Sequence, residues 1–180
     1  HRAGAFILPD SDTGAALYEV TNEVLEAAGL PAYEISNHAR PGAECRHNLT
    51  YWRYQDYVGV GPGAHGRISY AGENHATENV PAPDGWLAAV ASAEHGCRRD
   101  TVLTRDVRIE EMTMMGLRLR DGLDREEFLS RVGISFEKAF ERSALETLTE
   151  AGLISIDDRG LRATAAGLPV LDGVLRQLLA

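Results

Sequence analysis

The densest chemical stretch of the sequence is Cys45-Arg46-His47-Asn48-Leu49-Thr50-Tyr51-Trp52. Seven of its eight side chains can hydrogen-bond, ligate a metal or stack. Imidazole and thiolate are ligands for iron or zinc, and an indole offers a broad flat face to a planar ligand. Cys45-x-His47 alone is not a structural zinc pattern, which needs four ligands at recognisable spacing. The stretch shows no helical period and reads as a functional loop held between two strands. The same residues equally suit a loop pinned by Tyr51 and Trp52 on a core, with His47 and Asn48 satisfying turn carbonyls. Spacing alone leaves both readings open.

A second candidate is Gly59-Val60-Gly61-Pro62-Gly63-Ala64-His65-Gly66. Glycines after a strand let a backbone approach a ligand closely, and they also serve a tight strand exit. A dinucleotide fingerprint should open a helix, whereas Pro62 and Gly63 lead toward another strand. The Gly-Lys-Ser/Thr ending of a P-loop is missing. His38 could move a proton, yet no carboxylate is fixed beside it by local spacing. Met112, Met114 and Met115 read as core filling.

These residues need elements to hold them. Asp12 and its neighbours can cap a helix with Ala16, Leu17, Val20, Val24 and Leu25 on one face, stopped by Gly29 and Pro31. A strand is expected over Ala32–Asn37 and a second over Tyr57–Gly61. Arg67–Tyr70 and His75–Val80 should pair as a hairpin, and Asp84 should cap a helix closed by Gly96. A different texture begins near Thr104. The spacing predicts a helix capped by Asp106, a short one opened by Asp124 and ended by Gly133, and a third running from Ser135 to Gly152. A hairpin over 153–163 and a helix capped by Thr164 complete a winged-helix-like order. The expected domains are therefore residues 1–105 and 106–180.

Composition bounds the function classes. The 180 residues are 44% apolar and 25% charged, ordinary for a globular protein. No run approaches the roughly 18 apolar residues of a membrane span. Residues 1–105 carry 13 acidic and 8 basic side chains, and residues 106–180 carry 14 and 10. Neither part has the basic footprint of a nucleic-acid binder. The third helix, which would enter a groove, bears Glu137, Glu141, Glu146 and Glu150 against Lys138 and Arg142. Two cysteines make no disulfide framework, so a cytoplasmic setting is expected. The opening His1-Arg2-Ala3-Gly4-Ala5-Phe6 reads as the interior of something longer.

Taken together, Glu34-Ile35-Ser36-Asn37-His38-Ala39-Arg40-Pro41-Gly42, the Cys45–Trp52 stretch and Asp56–Gly66 resemble the HemN/HemW family. Glu111-Met112, Gly116–Gly122, Gly152-Leu153-Ile154 and Ala163–Gly167 extend the likeness through most of the chain. The family comprises radical S-adenosylmethionine proteins related to oxygen-independent coproporphyrinogen III oxidases and haem chaperones. The resemblance implies an α/β fold: the C-terminal part of a partial (β/α) barrel followed by a small winged-helix-like domain. It implies S-adenosylmethionine, a [4Fe–4S] cluster and haem as cofactors or cargo. The cluster needs a Cys-x-x-x-Cys-x-x-Cys motif that Cys45 and Cys97 cannot supply, so this stretch alone is not expected to cleave S-adenosylmethionine. His47-Asn48-x-x-Tyr51-Trp52 matches the pattern of the haem-binding branch, which implies haem contacts at those four residues and haem proteins as partners. Ser36, His38, Gly61, Gly63 and Ala64 correspond by position to the S-adenosylmethionine pocket. Two other readings are a part of a true decarboxylating oxidase and a non-enzymatic interaction module over 106–180. Unpaired parallel barrel strands in residues 1–105 would favour self-association.

Overall fold

The structure is a computed structural model describing residues 8–180. It opens with helix α1 (Ser11–Ala27), capped by Asp10, whose carboxylate accepts the Thr13 amide at 2.8 Å. Leu17, Val20 and Val24 lie on its surface, each more than half exposed, and α1 buries no residue. A short helix α2 (Arg46–Trp52) follows, then strands β1 (His65–Tyr70) and β2 (Glu73–Asn79). Ala71 and Gly72 join these strands with φ of 52° and 83°, the double positive turn that matches strand twist. Helix α3 (Pro83–Ala93) leads to β3 (Cys97–Val102), and β1-β2-β3 form one antiparallel sheet.

The second part holds the core. It comprises α4 (Arg105–Gly116), β4 (Leu123–Asp124), α5 (Arg125–Val132), α6 (Phe136–Ala139) and α7 (Arg142–Glu150). Strands β5 (Ile154–Ile156) and β6 (Gly160–Ala163), a 3₁₀ turn over Leu168–Val170 and α8 (Leu171–Leu178) complete it. Strands β4, β6 and β5 make a second antiparallel sheet in that order, the wing of a winged-helix arrangement. Gly160 is required where β4 crosses β6, because a Cβ there would sit 1.9 Å from the Leu123 carbonyl oxygen. Phe128, Phe136, Leu148, Leu161 and Val174 are buried together with Leu117 and Ile154. Every member of this buried apolar cluster lies between Met112 and Leu178; Ile35 and Tyr54 pack on it from the first part.

The mixed helix–strand architecture and the first hairpin follow the sequence reading, but several elements do not. The chain over Ala32–Asn37 makes isolated bridges, Ala32 to His38 and Glu34 to Leu119, instead of a strand. Tyr57–Gly61 is reduced to one bridge, Tyr57 to Arg67. A buried parallel strand requires neighbours on both edges, and no parallel pairing exists among the described residues. Strand β3 was not expected, because Cys97-Arg98-Arg99-Asp100-Thr101-Val102 lacks apolar alternation. Helix α3 starts at Pro83 with Ala82 as cap, leaves Leu87 exposed and ends at Glu94 in the left-handed region, before Gly96. Thr104, not Asp106, caps α4. The helix expected from Ser135 to Gly152 breaks at Phe140, whose extended backbone (φ −118°, ψ 149°) places its ring 6.0 Å from Phe128 and 6.3 Å from Phe136. Burying that third ring outweighs helical continuity. Thr164 closes a turn onto Gly167, and the final helix begins only at Leu171.

Candidate functional site

The Cys45–Trp52 stretch is not the irregular loop its sequence suggested. Residues Arg46–Trp52 form α2, with Cys45 at the N-cap and Tyr54 leaving in the left-handed region at φ 52°. Helical geometry makes residues four apart neighbours, so His47 lies beside Tyr51 and Asn48 beside Trp52. The His47 ring is exposed and meets Tyr51 edge to face, with centroids 4.6 Å apart. Tyr51 meets Tyr57 in the same way at 4.4 Å. An imidazole thus stands in solvent at the end of a row of three rings. Its ring nitrogens hold no hydrogen-bond partner among the described residues, so a lone pair is open to an incoming metal.

The other two residues of the motif face elsewhere. Asn48 donates through Nδ2 to the Tyr33 hydroxyl at 3.1 Å, tying α2 to the preceding segment. Trp52 is half-buried, with the Arg118 guanidinium 5.3 Å from its ring centroid. It lines a cavity of about 660 Å³ between α2, α4 and the wing. Each residue advances a helix by about 100°, so Trp52 points about 140° away from His47. The four residues for which the resemblance implied haem contacts therefore do not share one face: Tyr51 accompanies His47, and Trp52 lines the cavity.

Helix α2 is clamped from below. The Tyr54 hydroxyl donates to Glu111 Oε2 at 2.7 Å. Arg67 donates to both oxygens of the same carboxylate, Nε to Oε2 at 2.9 Å and Nη2 to Oε1 at 2.7 Å. Arg67 also exchanges both backbone hydrogen bonds with Tyr57. Burial alone would raise the Glu111 pKa, but the Arg67 and Tyr54 hydrogen bonds and the Arg67 charge hold it below the ordinary carboxylate value. Burial and this carboxylate push the Tyr54 phenol up. Tyr33, Tyr57, Arg67, Glu111 and Arg118 were all missed as site residues. Nothing in local spacing joins position 67 to position 111.

Residues expected at an S-adenosylmethionine pocket make hydrogen bonds of their own within the chain. Ser36 Oγ and Asn37 Nδ2 both donate to Oε1 of the fully buried Glu34, the former at 3.3 Å. His38 Nδ1 lies 3.3 Å from the Leu30 carbonyl. Gly61, at φ 101°, accepts from Asn79 Nδ2 at 2.9 Å, and the Gly63 amide donates to Val80 at 2.9 Å. The Ala64 amide turns back to Gly61. No hydrogen bond joins Ser36 or His38 to the Gly61–Ala64 turn among the described residues. Most of these polar groups are thus engaged within the chain. The two cysteines are free, Cys45 exposed and Cys97 half-buried. No group of three or more His, Cys, Asp or Glu able to hold a metal occurs among the described residues, so a [4Fe–4S] cluster does not fit what they supply.

Comparison with known proteins accords with this arrangement. Residues 103–170 match the HemN C-terminal domain. Over 98% of its length the chain is 36% identical to the zebrafish radical S-adenosyl methionine domain-containing protein 1, mitochondrial, of which it covers 41%. It is 35% identical over 91% of its length to heme chaperone HemW of Bacillus subtilis and 36% identical over 99% to that of Mycobacterium tuberculosis, covering 42% of each. The chain thus spans about two fifths of the relatives it matches. In structure it is similar to coproporphyrinogen III oxidase (HemN) of Escherichia coli, a radical SAM enzyme, with a TM-score of 0.68 over 95% of this chain and 42% of that one at 20% identity. The chain therefore carries a HemN C-terminal domain and is homologous to a stretch of HemW and of the radical S-adenosyl methionine domain-containing proteins, with a fold similar to that of HemN.

Proposed function

We propose that this chain is the haem-handling part of a HemW-like protein, which takes up haem and passes it to haem proteins. The observation that carries the reading is His47: an exposed imidazole without a partner, packed edge to face on Tyr51, on a helix clamped to the C-terminal domain. A neutral imidazole nitrogen is a good ligand for haem iron, and Tyr51 gives the macrocycle an aromatic edge to rest against. Clamping α2 fixes the ring before haem arrives, which reduces the ordering cost of binding. Relatives named heme chaperone share this stretch of chain. Haem is cargo in this scheme. S-adenosylmethionine and the [4Fe–4S] cluster come with this homology, and Ser36, His38, Gly61, Gly63 and Ala64 remain the proposed edge of the S-adenosylmethionine pocket. A cytoplasmic location is part of the proposal and rests on the two free thiols.

Haem titration of the chain and of its His47→Ala variant, followed by absorbance, tests the reading. The account expects a Soret shift in the parent and about tenfold weaker binding in the variant, which corresponds to about 1.4 kcal/mol. Unchanged affinity and spectrum in His47→Ala would return α2 to a structural role.

A further inference from the structure

A groove of about 620 Å³ on the C-terminal domain shares no lining residue with the cavity beneath Trp52. It runs between the first turns of α4, the α6–α7 junction and the end of α8. The break at Phe140 supplies one wall, where Ala139, Phe140 and Glu141 leave α6 and enter α7. The floor is apolar. Ile109, Phe140, Leu178 and Leu179 are buried or half-buried there, and Val107 adds a side chain that is 36% exposed. Six charged side chains surround this floor, and two of them are engaged within the domain. Glu137 pairs with Arg125 at 2.8 Å, and Arg142 pairs with Glu146 at 2.7 Å. The other four, Asp106, Glu110, Glu141 and Lys138, are exposed and hold no ion pair among the described residues. Three free carboxylates against one ammonium make the rim acidic. Asp106 and Glu110 also stand one turn apart on α4, a spacing at which like charges repel.

These observations select a partner. An apolar strip bordered by helices suits the apolar face of an amphipathic helix. The acidic rim requires that helix to carry Lys or Arg beside its apolar face. The same rim repels an anionic membrane surface and a second copy of a chain with net charge −9. We propose that this groove docks a basic amphipathic helix of a partner protein. Apolar side chains of the helix lie on Val107 and Leu179, and its cations meet Asp106, Glu110 and Glu141. Docking of this kind needs neither haem nor His47.

The probe is a fluorescein-labelled peptide of about 18 residues, five helical turns, built from Leu, Lys and Ala with the leucines on one face. It is titrated with the 180-residue chain and read by anisotropy. Two reference peptides have the same composition in scrambled order, which removes the apolar face, or Glu in place of Lys. The basic amphipathic peptide is expected to bind, and both references about tenfold more weakly. Asp106→Asn/Glu110→Gln/Glu141→Gln should weaken binding about tenfold. The charge-matched Glu19→Gln/Glu23→Gln/Glu26→Gln variant on α1 should change it much less. Lys138→Glu enlarges the acidic rim and should tighten binding severalfold, a gain that misfolding cannot produce. No binding, equal weakening by the two triple variants, or a Lys138→Glu variant that binds no tighter would overturn the groove. So would sedimentation of the chain with phosphatidylcholine–phosphatidylserine vesicles that the groove variant abolishes, or a dimer lost in that variant.

Discussion

Two side chains five residues apart divide the labour in α2. His47 faces solvent with Tyr51 at its back, while Trp52 faces the cavity under Arg118. Replacing Trp52 by Ala should therefore leave the spectral signature of a histidine ligand in place, because the indole lies on the other side of α2 from His47. Replacing His38 or His65 by Ala should leave the Soret band nearly unmoved, because His38 is turned onto the Leu30 carbonyl and His65 belongs to β1. Absorbance spectra of the three haem-loaded variants check both expectations; a ligand change in His65→Ala would reassign the iron contact. The motif residues stand out in the sequence as a polar-aromatic cluster, with binding and packing both open on spacing alone. Their division between two faces was not legible there, since it follows from a helix that the polar sequence Arg46-His47-Asn48-Leu49-Thr50 did not advertise. Tertiary anchors, Asn48 on Tyr33 and Tyr54 on Glu111, hold that helix.

Between elements, one carboxylate does the joining. Glu111 on α4 receives Arg67 from β1 and Tyr54 from the end of α2. Both partners of the ion pair are mostly shielded, at 24% and 17% side-chain exposure, so the link should exceed an ordinary surface pair. Glu111→Gln is expected to cost about 1–3 kcal/mol in urea unfolding. Its folded pKa lies below the unfolded value of about 4.3. The stability it contributes is therefore complete above that value and is lost as pH falls through the folded pKa. The variant's stability should decline less steeply than the parent's on acidification below about pH 4.5; parallel declines would show that Glu111 is not the coupling group. Local signals were read well at this scale. Asp124 does cap α5 by accepting the Glu127 amide at 2.8 Å, and Gly133 ends it at φ 82°. Elements defined by distant partners were read poorly. Strand β3 exists because β2 offers it an edge, and the Phe140 break exists because Phe128 and Phe136 await a third ring.

Across the whole molecule, burial is concentrated after residue 111, while the first part presents apolar groups to solvent. Leu17, Val20 and Val24 on α1, and Val58 and Val60 beside the glycine turn, are all more than half exposed. Exposed apolar rows of this kind favour association. The 180-residue chain should therefore show a concentration-dependent rise in mass by sedimentation, reduced in a Leu17→Glu/Val24→Glu variant. A monomer at every concentration would count against the self-association expected from the sequence. Strand β3 is a poor candidate for the contact, since Arg98, Arg99 and Asp100 charge its outer edge. The central claim is that this chain holds haem iron through His47, and resonance Raman spectroscopy of the haem-loaded chain reads that bond directly. The account predicts an iron–histidine stretching band in the ferrous protein that vanishes in His47→Ala and persists in Trp52→Ala. The same band in His47→Ala would contradict it.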